Sequence, residues 1–179
     1  MAKNKGKSMY INEKDQLGES AYVGKKAEDS FEDWLKQNNR NYRPATKEEQ
    51  YQHIDFVVYN PKLQKDINID VKATKKRSRM DSNSNSNYVW VEFKNVRGDN
   101  GWLYGKADYI VFHNQQEDQF YAVDRKDLAQ LCEKICDDQK VTNPREALHH
   151  KYTREGRKDV LSLLYFDDIL NCKHKILKK

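Results

Sequence analysis

The chain has 179 residues, 33 of them basic and 28 acidic, for a net charge of +5, and its mean hydropathy is −1.09. That length suits one domain with a modest core. Apolar runs such as YIVF at 109–112 are far too short to span a bilayer, and 3 cysteines are too few for a disulfide scaffold. The mild basic excess permits a nucleic-acid partner without demanding one. No apolar stretch follows the basic N-terminus, so a secretory signal is not expected. A soluble, cytoplasmic protein is the expectation.

Residues 1–19 are rich in Lys and Asn and read as a basic, flexible tail ahead of a single domain over 20–179. Ala27, Phe31, Trp34 and Leu35 recur at helical spacing and predict an amphipathic helix. The helix should fade in QNNRN at 37–41, whose asparagines favour turns. IDFVVY at 54–59 predicts a strand, closed by Asn60-Pro61. INIDVKA at 67–73 alternates strictly: Ile67, Ile69, Val71 and Ala73 against Asn68, Asp70 and Lys72. One apolar and one polar face follow.

Residues 74–87, TKKRSRMDSNSNSN, form a basic cluster and a low-complexity run, predicting a long mobile loop. Strands are then expected at 88–94, 107–112 and 119–124, and a helix over 128–135, where Leu128, Leu131, Cys132 and Ile135 share a stripe. Residues 137–159 carry no clear pattern. VLSLLYF at 160–166 reads as strand or buried helical turn, and KHKILKK at the end as a basic tail. The order predicts an α/β (α+β) domain with a mixed central sheet flanked by helices.

Two strands carry charge where burial is expensive. Alternation puts Asp70 and Lys72 on one face, roughly 7 Å apart along the strand. If 54–59 pairs with 67–73, Asp55 lies beside Asp70. Two carboxylates held together repel when both are ionised, and a divalent cation offsets this directly. Mg²⁺ takes oxygen ligands and often only one or two protein carboxylates. A lysine beside it adds positive charge where a phosphate becomes more negative.

These residues resemble the PD-(D/E)xK nuclease superfamily, with an acid on one strand, D/E-x-K on the next, and a preceding helix that supplies a glutamate. Asp55 matches the first acid and Asp70-Val71-Lys72 the second element; Ile54 stands where the proline would be. Glu28 matches the helical acid, about 100° from Ala27 and about 20° from Leu35 around the helix, with Glu32 a second choice. The resemblance covers 24–73 and extends less closely to GWLYGKADYIVF at 101–112, similar to phage and mobile-element members.

It implies a restriction-endonuclease-like core and a Mg²⁺-dependent deoxyribonuclease leaving 5′-phosphates, with Mn²⁺ able to substitute. Asp55, Asp70 and the Val71 carbonyl would hold the metal. Lys72 would act at the phosphate, and Glu28 would complete the site. A homodimer is the assembly such a resemblance suggests for handling a duplex.

Rival readings exist. Glu92-Phe93-Lys94 repeats the acid–lysine spacing, so Asp70, Glu92 and Lys94 form a second candidate set; alternatively Glu92 supports the first. Lys75, Lys76, Arg77 and Arg79 leave the motif strand directly and could grip DNA backbone, though charge runs are commonly solvated. Tyr88, Trp90 and Trp102 could stack on bases, with core packing the plainer expectation for the tryptophans. His53 shares a face with Asp55, and Asp108 should satisfy loop amides. Cys132, Cys136 and Cys172 match no usual zinc spacing. The alternative function is a non-catalytic nucleic-acid-binding module on the same scaffold, and a third is an interaction protein without a nucleic-acid role.

Overall fold

The computed structural model describes residues 19–78 and 80–179. Arg79 and residues 1–18, the expected tail less Glu19, lie outside this range. Helix α1 (Glu19–Gln37) buries Ala27, Phe31, Trp34 and Leu35, the predicted stripe. It ends where Asn39 adopts a left-handed conformation, φ 50°, which asparagine tolerates better than most residues.

Strand β1 (Tyr42–Pro44) and the short helix α2 (Lys47–Tyr51) follow. Thr46 and Glu49 close a reciprocal capping box at the start of α2, satisfying two otherwise orphaned amides. Then come β2 (Phe56–Asn60), β3 (Lys65–Ala73) and β4 (Tyr88–Lys94). After a 3₁₀ turn at Trp102–Tyr104, the chain forms β5 (Tyr109–Asn114) and β6 (Gln119–Asp124). Helix α3 (Arg125–Ile135) is capped by the Asp124 carboxylate. Strands β7 (Lys140–Val141), β8 (Lys151–Thr153) and β9 (Val160–Tyr165), helix α4 (Phe166–Ile169) and β10 (His174–Lys178) complete the chain.

The strands build two sheets: β1-β2-β3-β5-β6-β10 and β4-β9-β8-β7. β2 and β3 are antiparallel with Phe56 opposite Ile69, whereas β3 and β5 are parallel with Asp70 beside Ile110 and Lys72 beside Phe112. The expected mixed α/β architecture is therefore present, but 88–94 belongs to a second sheet instead of the central one. Helix α1 covers one face of the larger sheet through Phe56, Ile69, Val71 and Val111. The opposite face, with Ile110, Phe112 and Val123, meets the second sheet, α3 and the 102–104 turn. Fully buried aromatics such as Phe31 and Phe112 each contribute roughly 1.5–3 kcal/mol.

Two further expectations change, and the second layer accounts for the burial of Asp70. KHKILKK is an edge strand, not a tail: β10 pairs antiparallel with β6, and the Lys178 carbonyl accepts a hydrogen bond from Trp34 Nε1 at 2.8 Å. The strand expected from 107 starts at Tyr109, because the Asp108 carboxylate accepts the Asn68 amide at 2.8 Å. The polar face of β3 is not solvated near Asp70, because the second layer covers it and leaves Asp70 1% exposed.

Candidate active site

Asp55 sits immediately before β2, and its placement begins with α2. His53, just after that helix, takes φ 59° and swings the chain toward β3. The Asp55 amide donates to the Ile69 carbonyl at 2.8 Å. Its carboxylate accepts the Val71 amide at 2.7 Å. Asp55 thus replaces a backbone carbonyl at the rung just before β2 begins. Because the amide and carbonyl of a strand residue point to the same neighbour, the Val71 carbonyl also faces this open edge.

Asp70 lies alongside. Its Oδ1 accepts Lys72 Nζ at 2.5 Å, while its Oδ2 is buried and receives no hydrogen bond. The Asp70 carboxyl is held well above the usual carboxylate range, chiefly by burial; Lys72 opposes the shift and the adjacent Asp55 carboxylate adds to it. An ionised Asp70 is short of positive charge on its Asp55 side.

Lys72 is only a quarter exposed, its side chain 26% accessible. Burial by itself would lower its pKa, but Asp70, Asp55 and Glu92 together raise it, so it stays cationic. Its ammonium also stands 5.6 Å from the centre of the Trp102 ring. Trp102 itself is core, 6% exposed.

Glu92 reaches the same cleft from the second sheet. Burial raises its pKa, opposed by Lys72, Lys75, the Trp102 amide and Arg154. Gly101 permits this approach: a Cβ there would fall 2.3 Å from the Glu92 carbonyl oxygen. Lys94 points elsewhere. It is exposed beyond a bulge in the β4–β9 ladder. The sequence spacing therefore does not bring Lys94 to the cleft beside Glu92.

His53 completes the rim. Burial and then Lys72 lower its pKa, while the Asn100 backbone and Asp55 oppose them, so its imidazole faces these groups. Glu28 is half-buried on α1, whose core stripe covers the other face of β3; its carboxylate helps to raise the Lys25 pKa. Glu32 accepts the Tyr42 hydroxyl at 3.1 Å.

The basic segment after β3 has no regular structure, yet it is strapped down. Lys75 Nζ donates to Ser20 Oγ at 3.0 Å. The Lys76 carbonyl accepts Trp90 Nε1 at 3.0 Å, and Arg77 donates to the Arg145 carbonyl at 2.6 Å. The three cysteines are free and buried, and all lie in one core cluster. Among the described residues, no three His, Cys, Asp or Glu side chains form a group able to hold a metal ion. Asp55 and Asp70 are a pair of acids, and any further ligand must come from the Val71 carbonyl, substrate or water.

No protein-family model matches this sequence, and no curated protein does. Among solved structures, a bacterial homing endonuclease, I-Ssp6803I, is similar with a TM-score of 0.43 and 12% identity, over 63% of this chain and 74% of that one. Among the described residues, no helix is long and apolar enough to cross a membrane.

Proposed function

We propose that the chain is a metal-dependent nuclease that hydrolyses DNA phosphodiester bonds, of the PD-(D/E)xK type. The observation that carries this reading is the Asp70 carboxylate, 1% exposed, with Oδ2 lacking any donor while a second acid, Asp55, adjoins it. Two adjoining carboxyl groups that offer oxygen ligands suit a hard divalent cation such as Mg²⁺.

Asp55, Asp70 and the Val71 carbonyl would hold the metal; Glu28 forms no group with the two acids and would serve as the auxiliary acid only through water. When bound, Mg²⁺ lowers the pKa of coordinated water and polarises the phosphate. Lys72 keeps its proton and places positive charge where the scissile phosphate gains negative charge. Glu92 adds to the negative charge that keeps Lys72 protonated. Lys75, Lys76, Arg77 and Arg79 grip the backbone on either side of the cut, and Mn²⁺ substitutes for Mg²⁺.

The test is cleavage of supercoiled and linear DNA by wild type and Asp70→Ala, each with Mg²⁺ or EDTA. Activity in the wild type with Mg²⁺ alone is expected. Equal activity in all four reactions rejects the reading. Salt-dependent DNA binding without cleavage in any of them supports the non-catalytic module.

A further inference from the structure

A second polar feature lies along the same strand as Glu92. Alternation along β4 puts Tyr88, Trp90 and Glu92 on one face, and Tyr88 is about 13 Å, roughly four base-pair rises, from Glu92. At that end is a cavity of about 330 Å³. Its lining includes Ser86, Asn114, Phe166, Tyr88 and Tyr165.

Each of these groups has the chemistry of a base pocket. The Tyr165 ring is stacked on Tyr88 with centroids 5.4 Å apart and 29° between planes, yet Tyr165 remains 43% exposed. A flat ring held in place and open to solvent is a stacking platform. Ser86 is 5% exposed, and its hydroxyl makes no hydrogen bond. A buried hydroxyl without a partner is destabilising, so a ligand that bonds to it recovers that loss.

Asn114, also buried, uses Oδ1 to accept the Gln116 and Glu117 amides at 3.1 and 3.2 Å, which leaves its amide nitrogen as a donor. Glu117 and Asp167 bring negative charge to the lining, which disfavours phosphate here and favours amino groups. Glu117 Oε2 accepts the Tyr121 hydroxyl at 2.5 Å, whereas the Asp167 carboxylate is exposed and only its backbone carbonyl is engaged, by Asn171, so both its oxygens are open to a ligand. Arg77, whose guanidinium lies 5.1 Å from the Tyr88 ring centre, supplies positive charge next to this cavity for the adjoining phosphate.

We propose that this cavity holds one unstacked nucleobase bearing an exocyclic amine, from the same strand whose backbone crosses the Asp55–Asp70–Lys72 cleft. This rests on the nuclease reading for its substrate class, but the base preference is its own claim. Asp167 accepts from the amine, Ser86 and Asn114 bond the base edge, and Tyr165 stacks on its face. Thymine, which has no exocyclic amine, is the disfavoured base.

The experiment is fluorescence anisotropy in EDTA with labelled 12-nucleotide oligo-dC and oligo-dT, using wild type, Asp167→Ala and Tyr165→Ala. Wild type should bind oligo-dC about fivefold or more tighter than oligo-dT, the discrimination expected of a good base-edge contact. Asp167→Ala, a change at an exposed position, should bring the ratio close to one. Tyr165→Ala should weaken both oligonucleotides by about tenfold. Equal wild-type affinities, no binding, or a ratio unchanged in Asp167→Ala overturns the proposal. No cleavage is read, so base-selective binding by a protein that never cuts DNA rejects the nuclease reading and keeps the pocket. Cleavage with no base preference does the reverse.

Discussion

The Asp55 carboxylate accepts the Val71 amide at 2.7 Å, closing the rung just before β2 begins. This one bond fixes an acid from one strand against the Asp70-Val71-Lys72 segment of the next. It also leaves the edge of β3 open beside both carboxylates. The arrangement sacrifices stability, because burial has already raised the pKa of Asp70.

Asp70→Asn should therefore stabilise the metal-free protein while abolishing cleavage. The folded-state pKa of Asp70 lies above its unfolded value, so the folded state holds the proton more tightly. From pH ~4 upward this acid progressively loses stability for the fold. Chemical denaturation should show Asp70→Asn more stable by about 1–3 kcal/mol at pH 8, with a smaller gap at pH 5. A variant less stable than wild type at pH 8 contradicts this.

Lys72→Met should keep a side chain of similar length beside Trp102 and remove the charge. Cleavage should fall by about 10²–10³-fold, with DNA affinity in EDTA changed less than threefold. A loss confined to affinity would assign Lys72 to binding alone.

Gly101→Ala should be poorly tolerated. Its Cβ would stand 2.3 Å from a backbone oxygen of Glu92, which no side-chain rotation relieves. A loss of about 2 kcal/mol or more in thermal or denaturant melts is expected. Wild-type stability would mean that the 101–104 turn is not packed against β4 as described.

How much of this was legible beforehand depended on pattern length. The α1 stripe and the alternation of β3 span enough residues to fix both element type and facing side. Asp55 beside Asp70 followed from pairing two adjacent strands. KHKILKK did not read as a strand because β10 is an edge strand with only Ile176 and Leu177 apolar, and Ile176 is 47% exposed. Strands β7 and β8 have two and three residues, too few for any periodicity. Glu92 read either as part of a rival set or as support for the first site, and the position of β4 in a second layer favours the supporting role. The Ser86–Tyr165 cavity joins segments nearly eighty positions apart, and nothing local announces it.

The helix that sets His53 and Asp55 has its own acid dependence. The Glu49 carboxyl is lowered to about 2, first by Arg43 and then by the Thr46 amide. A lowered acid contributes stability that is complete above its unfolded pKa and lost as pH falls toward the folded one. Wild type should lose about 1–2 kcal/mol more than Glu49→Gln between pH ~5 and ~2.5, after allowance for solvent screening of this quarter-exposed group. Parallel pH profiles would show that the capping box contributes nothing measurable.

The most direct test of the metal corner is a crystal soaked in Mn²⁺ and measured for anomalous scattering. A peak between the Asp55 and Asp70 carboxylates, within bonding distance of the Val71 carbonyl, is the predicted result. Fully occupied Mn²⁺ elsewhere in the lattice, with nothing between those two acids, would contradict it.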